Sequence, residues 1–562
     1  MNYCPERPLK DTCTLKVTIT PHFNADSADR LSIHLVLQNP RCAAHHPIFF
    51  FETYCGNVPA HHYDENSIIA LDAAGPLHLH FTKLTNPDGP DQEWRVDRDT
   101  VGDVQLRFSV SPRNVDITTP IGPRVDLRRD QGGLIGNGQW FLPRPAKDRV
   151  YRNVVEWDLS RAPEGTSAVW SFGEGPGPVI KNGGPTVIAD SVFMVGPIRS
   201  YPGASSSSAD SSGATVALSA KVFWFGELPE NLQRLNRYNI LLFPKLVDFF
   251  QSAGASYRIF IRRAIRGFGG RGCLESYVLE YDELSWKETD GELVSIFSHE
   301  MVHSFSMMGP EIDGYENDWF VEGIAQFYSI YLPYRFGLRG EDYFRDGLNA
   351  SLQTYGTSPR IGMDVLDSQR EFFDDWYAEM IPYMRGCAYL LQIDSRLRKK
   401  TRRFGMDQNS PLDDIVVHMA ARFRRGNQLQ ARDWLEYLRP YLGEDVAQEF
   451  QDMLRGKPLD LSDNIVIHEN WNLTPRMQEI LEFGFDKSSI NKRVISGVVP
   501  ESRAANAGLE DGAQLLSMSR AGLCSTSLST NLELFVEKEG VKSHISYWPR
   551  SFNKARVWQL EK

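Results

Sequence analysis

The 562-residue sequence has no long apolar run, only seven cysteines and no surplus of positive charge. Its most apolar stretch, "NILLFPKLVDFF" (239–250), is broken by Pro244, Lys245 and Asp248, whereas a membrane span needs about 20 apolar residues, so no membrane crossing is expected. The opening "MNYCPERPLKDTCTLKV" carries charges and a proline where an export signal has a continuous apolar core, so no export is expected. The cysteines run from Cys4 to Cys524 without CxxC spacing, which predicts free thiols in a reducing compartment, the cytoplasm. Asp and Glu (72) outnumber Lys and Arg (61), and the net charge of −11 repels a phosphate backbone, which argues against a general nucleic-acid partner. The basic run "RLRKKTRR" (396–403) is isolated and reads as a solvated helix face or end. The glycine-rich "GFGGRG" (267–272) lacks the GK[ST] ending and following helix of a phosphate loop, and no internal repeat is visible.

A hydrophobic content of 41% supports several cores, and three or four domains are expected. From about 12 to 226, short alternating segments such as "TLKVTITPHF", "RLSIHLVLQNP", "VQLRFSVSP", "TVIADSVFMVG" and "TVALSAKVFWFG" predict an antiparallel β domain of the sandwich kind. The insert "GASSSSADSSGAT" (203–215) reads as a flexible loop. After 227 the period changes: a helix over "LPENLQRLNRYNILLFPKLVDFFQSAG", strands over "YRIFIRRAI" and "SYVLEYDEL", then mostly helix from 289 to about 456. The last hundred residues return to short strands and glycine turns. The fold class is multidomain α+β, divided as 1–226, 227–460 and 461–562.

"FSHEMVHSF" (297–305) lies on a predicted helix that starts at "TDGE" (289–292), a capping-box pattern, and stops near "GP" at 309–310. His299 and His303 stand four residues apart, so both imidazoles leave one helix face, one turn from each other, and can share a zinc ion. Glu300 lies about 100° round the helix, unsuited as third ligand but able to reach a water on the metal. HExxH also arises by chance in helices that place histidines beside a core. The second segment, "NDWFVEGIAQFYS" (317–329), reads as a helix capped near Asn317 or Asp318, with Glu322 18 residues beyond His303. Trp319, Phe320, Ile324 and Phe327 surround that carboxylate with bulk, and a carboxylate so placed needs a cation. His299, His303 and Glu322 thus form one of the ligand sets of a catalytic zinc, with one position left for water. The pairs in "AHHP" (44–47) and "AHHYD" (60–64) point to opposite faces of an extended chain and read as structural or surface histidines.

HEMVH, the 18-residue spacing and "WFVEG" together resemble the glutamate-type zinc aminopeptidases, the group of the alanyl aminopeptidases and leukotriene A4 hydrolase. "IPYMRGCAYLLQIDSRLRKKT" (381–401) and "SPLDDIVVHM" (410–419) resemble the glycyl aminopeptidase family, which carries a C-terminal PDZ domain; "EFGFD" (482–486) and "VISGVVPESRAANAGLEDGAQLLSM" (494–518) resemble that domain's carboxylate-binding loop, strand, Ala-Gly-Leu turn and strand. The resemblance implies a thermolysin-like domain, α/β then helical, with one Zn2+, acting on peptides with a free amino terminus and favouring small first residues such as Gly or Ala. It implies further that Glu300 is the general base, that Tyr383 bonds the tetrahedral intermediate, and that Gly386 lets its helix approach its neighbours. Glu275 in "GRGCLES" (270–276) would bind the substrate's α-amine while the backbone at Gly272 and Cys273 lies along the peptide. The PDZ-like segment could take a peptide or protein terminus by strand addition. The Cys273 and Cys387 thiols lack a histidine in a cysteine-protease pattern and read as small buried groups. Ser276 stands where the glycyl family shows histidine, which leaves the side-chain preference open, and the spacing to Glu322 follows the alanyl group. The alternatives are an endopeptidase without an amine anchor and a non-catalytic binding protein on a peptidase fold.

Overall fold

A computed structural model of the chain describes residues 12–84, 91–116, 119, 122–203, 219–265, 268–282, 290–305, 307–308, 317–372, 374–404, 409–461, 465, 467, 471–519 and 521–561. Thr289, the "GP" at 309–310 and almost all of the serine-rich insert lie outside them.

In the first strand, Cys13–Asn24, the buried residues Cys13, Leu15, Val17 and Ile19 alternate with half-exposed ones, the period of a sheet with one covered face. The strand pairs antiparallel with Ser27–Leu37, Val17 opposite Leu35 and Ile19 opposite Ile33, so both apolar sets fall on one side. It also pairs in parallel with Tyr151–Trp157, Val17 opposite Val155, so the expected antiparallel sheet contains one parallel join. A strand cannot reach a parallel neighbour through a tight turn, and the chain between these two builds other strands first. The seven-stranded sheet runs Val179–Gly183, Tyr151–Trp157, Cys13–Asn24, Ser27–Leu37, Val104–Val110, Ile69–Asp72, Gly75–Pro76. The expected strand over 186–196 begins only at Val192, since Asp190 N–H bonds Thr186 C=O in a turn.

A further five-stranded sheet is ordered Ile198–Tyr201, Ala220–Phe225, Tyr257–Arg263, Ser276–Tyr281, Gly269–Cys273. The Glu230–Phe249 helix connects the parallel pair Ala220–Phe225 and Tyr257–Arg263, and Gly269–Cys273 closes the edge as an antiparallel hairpin. Behind it Arg262, fully buried, donates to Asp126 and Glu280 at 2.8 Å each, so its charge is satisfied where water is absent.

The chain forms two compact units, 1–244 with 253–290 and 245–252 with 291–562. The second unit is built on helices. Asp290–His303 carries His299 and His303, Asp318–Arg335 carries Glu322 and Ile381–Thr401 carries Tyr383. Trp319 packs its ring on Tyr389, Trp434 and Phe450 and centres the core beneath them. The far end of the Glu322 helix is fixed by Arg335 on Asp413 at 2.7 Å and by the Tyr328 hydroxyl on the same carboxylate at 2.9 Å. Ser410 and Asp413 form the capping box of the Pro411–Arg424 helix.

The last ninety residues add an antiparallel ribbon, Asn472–Leu481 with Arg550–Glu561, and a three-stranded antiparallel sheet of Gln514–Met518, Leu532–Lys538 and Val541–Tyr547. The first of the two strands expected within 494–518 is reduced to a single bridge at Val494, because Gly497 takes φ +69° and turns the chain away. Residues after "EFGFD" form the short helix Ser488–Lys492. Among the described residues no helix is long and apolar enough to cross a membrane, and six cysteines are free and buried.

Candidate metal centre

The Asp290–His303 helix is apolar over most of its circumference, with Leu293, Val294, Phe297, Met301 and Val302 buried, so His299 and His303 emerge into a space shielded by core. The Glu322 helix begins at Asp318; Asn317 stands at its N-cap position without a side-chain cap bond. Its Trp319, Phe320 and Ile324 are fully buried and hold the helix in one rotation, which aims Glu322 at the imidazoles.

The three side chains converge. His299 Nε2 lies 3.1 Å from Glu322 Oε2 and 3.1 Å from His303 Nε2, and His303 Nε2 lies 3.3 Å from Glu322 Oε2. A tetrahedral ion with bonds near 2.05 Å spaces its ligand atoms by roughly 3.3 Å, so the triangle has the size a zinc requires. Glu322 is 21% exposed and the imidazoles 10–11%, which leaves a side from which solvent reaches the centre.

Electrostatics point the same way. Burial alone would depress His303, but the Glu322 carboxylate, helped by Glu300, outweighs it and pushes His303 up to about 9. Burial would raise Glu322, and the His303 and His299 rings instead hold it far below the usual carboxylate range.

Glu300, half-buried, follows His299 in the chain. The Tyr383 ring stacks on the His299 imidazole with centroids 5.5 Å apart and 19° between planes. Burial first, then the Glu322 and Glu300 carboxylates, push the Tyr383 hydroxyl well above its ordinary value, so it stays protonated and able to donate. The approach of the two helices depends on glycine. A Cβ on Gly386 would lie 2.2 Å from Trp319 C=O, and one on Gly323 would lie 2.7 Å from the Gly386 Cα.

Two further residues belong to the centre, Gly323 and Asp318, the second of which the sequence marks only as a candidate helix cap. Gly323 is the counterpart of Gly386. Asp318, one turn before Glu322 and therefore on the same face, is lifted by burial and by Glu322 to about 7, with His303 partly opposing. The four-residue spacing of Asp318 and Glu322 is the signal that could have found it.

Gly272, Cys273 and Glu275 belong to the other unit. Cys273 pairs with Ser276 across a two-residue turn, Leu274-Glu275, in which Glu275 takes φ +50°. Such a conformation costs a non-glycine residue about 1 kcal/mol. The buried Cys273 thiol accepts from Asn137 Nδ2 at 3.3 Å, a structural role. The Glu275 carboxylate is bound by the Lys181 ammonium, which also sits over the Phe172 ring. Lys181 gives no signal in sequence, 94 residues away from its partner.

No family model and no curated protein matches the sequence. The crystal structure of an aminopeptidase N family protein from Idiomarina loihiensis is similar with a TM-score of 0.63 over 98% of both chains at 13% identity. An M1 zinc metallopeptidase from Deinococcus radiodurans, solved as a mutant with a Tyr-Ser-Ala substrate, gives 0.49 at 15% identity over 80% of this chain and 94% of that one. Native yeast leukotriene A4 hydrolase gives 0.48 at 11% identity over 81% of this chain and 69% of that one. The chain therefore shares the fold of the Idiomarina protein from end to end.

Proposed function

We propose that the chain is a zinc-dependent aminopeptidase, hydrolysing the amino-terminal peptide bond of peptides and favouring small first residues such as Gly or Ala. The triangle of His299, His303 and Glu322 carries this reading, because two imidazoles and a carboxylate 3.1–3.3 Å apart match a catalytic zinc's ligands in type and spacing. His299, His303 and Glu322 would hold one Zn2+, which would supply Lewis acidity and lower the pKa of a water to about 7. Glu300 accepts a proton from the attacking water and returns it to the departing amine. Tyr383, protonated throughout the physiological range, donates to the carbonyl oxygen as negative charge develops there. Glu275 pairs with the substrate ammonium while the backbone at Gly272 and Cys273 lies along the peptide. The support for this part is the "GRGCLES" motif and the positive φ of Glu275, a strain of the kind that functional sites hold. Buried free thiols support a cytoplasmic setting. The domain boundaries 1–226, 227–460 and 461–562 belong to the same reading, with 461–562 as a PDZ-like domain.

One observation favours the endopeptidase alternative. Lys181 already neutralises Glu275, and a carboxylate so paired attracts a second ammonium less strongly. Metal analysis of the purified protein with a panel of aminoacyl-coumarins, glycine and alanine first, and a doubly blocked quenched peptide separates the readings. Zinc with aminoacyl cleavage supports the proposal, zinc with cleavage of the blocked peptide alone supports the endopeptidase, and neither metal nor cleavage leaves a binding protein.

A further inference from the structure

Tyr383 occupies the first turn of its helix, the part most prone to fraying because its N–H groups have no partners within the helix. Met380, at the N-cap position, makes no side-chain cap bond. The stability of the first turn must come from the residues before it. There Asp375 accepts from the Tyr377 and Ala378 N–H groups at 2.6 and 3.0 Å and closes a single 3-10 turn, Ala378–Met380, that runs into Ile381 without an intervening loop. Any movement of residues 375–377 therefore passes to Tyr383.

Residues 375–377 are held from two sides, by Arg360, whose Nε and Nη2 donate to Asp375 Oδ2 at 3.1 and 2.9 Å, and by the loop 483–487 of the C-terminal segment. Phe483 N–H donates to the Tyr377 hydroxyl at 3.0 Å, and Trp376 Nε1–H donates to Phe485 C=O at 2.9 Å. The Trp376 and Phe483 ring centroids lie 4.5 Å apart, and Tyr377 stacks on Phe483 with centroids 5.9 Å apart. Lys487 Nζ, 16% exposed, donates to Phe372 C=O at 2.9 Å, Asp375 C=O at 3.2 Å and Glu379 Oε2 at 2.7 Å. A small, largely apolar cleft adjoins the turn, with Tyr355, Trp376, Tyr377, Met380, Ile381 and Leu481 among its lining residues. The loop that resembles a receptor for a chain terminus thus spends a backbone N–H and a carbonyl on its own chain.

We infer that the 483–487 loop is a clamp that positions Tyr383, and that Lys487, Tyr377 and Trp376 are positioning residues for the reaction; the catalytic half of this inference rests on the proposed hydrolase. The clamp matters because a hydrogen bond to a developing oxyanion weakens sharply when its donor shifts by a fraction of an ångström.

The test uses Lys487→Met and the isosteric Tyr377→Phe in the full-length protein. Both should hold zinc as the parent does, keep KM within about twofold and lose about 10- to 100-fold in kcat. In a Tyr383→Phe background the same substitutions should change kcat by less than about twofold, because the group they position has gone. Amide hydrogen exchange over 376–386 should accelerate at least about tenfold while 290–303 is unchanged. An undiminished kcat loss in the Tyr383→Phe background, a loss of zinc, or unchanged exchange over 376–386 overturns the clamp. If the parent protein neither binds zinc nor cleaves peptides, the hydrolase reading fails, and exchange over 376–386 still decides the clamp.

Discussion

Gly323 and Gly386 meet backbone to backbone where the Glu322 and Tyr383 helices cross, with no room for a methyl group on either side. The residue preceding Gly323 is Glu322, and Tyr383 lies one turn before Gly386, so the crossing fixes the proposed metal-ligating carboxylate and the proposed oxyanion donor together. Gly386→Ala would press a methyl to within 2.2 Å of Trp319 C=O, a backbone atom that cannot step aside. We predict a loss of about 1–3 kcal/mol of stability and most of the activity. Gly347→Ala, whose methyl would meet only the Ile330 side chain at 3.3 Å, should be near neutral; urea unfolding of the pair is the measurement.

Glu300→Gln should retain zinc while kcat falls by about 100- to 10,000-fold, because the amide keeps the shape and cannot take a proton. Metal analysis of the purified variant beside its steady-state rate checks this. A normal kcat with full metal removes Glu300 from the role of general base.

Tyr383→Phe removes only the hydroxyl from a ring that stacks on His299. The expected result is a kcat lowered by about 100-fold with KM changed little, since the bond forms as the oxyanion does. A matching rise in KM would place the hydroxyl on the ground-state substrate instead.

In the metal-free protein, His303 has a folded-state pKa raised to about 9 from an ordinary value near 6.5. The sign follows directly: the stabilisation is fully present below about 6.5 and lost as pH rises through about 9. Glu322, held low, contributes above its ordinary value near 4.5 and loses that contribution on acidification. Chelator-treated protein should therefore lose thermal stability between pH 6.5 and 9, and the zinc-loaded protein should not, because a ligated imidazole is neutral throughout.

Lys181→Met frees the Glu275 carboxylate. If Glu275 anchors the amine, KM for free-amine substrates should fall and N-acetylated peptides should be unaffected, whereas Glu275→Ala should raise KM for the former only. Equal effects on both substrate classes would mean that Glu275 is not the anchor.

Much of the centre is legible in the amino-acid order because it depends on local periodicity. Two histidines four apart on an apolar helix, and a glutamate among aromatic residues that rotate it inward, need only the geometry of the α-helix. Tyr383 is different, for nothing in "IPYMRG" marks a tyrosine as catalytic and only the family resemblance picks it out. Gly323 reads locally as a cost to helix propensity, and its use appears only when Gly386 is seen against it. The contacts of Lys181 with Glu275 and of Tyr377 with Phe483 span 94 and 106 residues, and no pattern along a chain encodes such pairings. In the β region the alternation locates strands, while the parallel join of Cys13–Asn24 with Tyr151–Trp157 is a matter of topology that alternation does not specify.

The most direct measurement is the zinc content of the full-length protein, purified without added metal, beside that of His303→Ala and Glu322→Ala. One zinc per chain in the parent and a loss of more than about 90% in each variant is the predicted result, since removing one of three protein ligands leaves too few to hold the ion. A parent without zinc, or variants that retain it, would contradict the proposed centre.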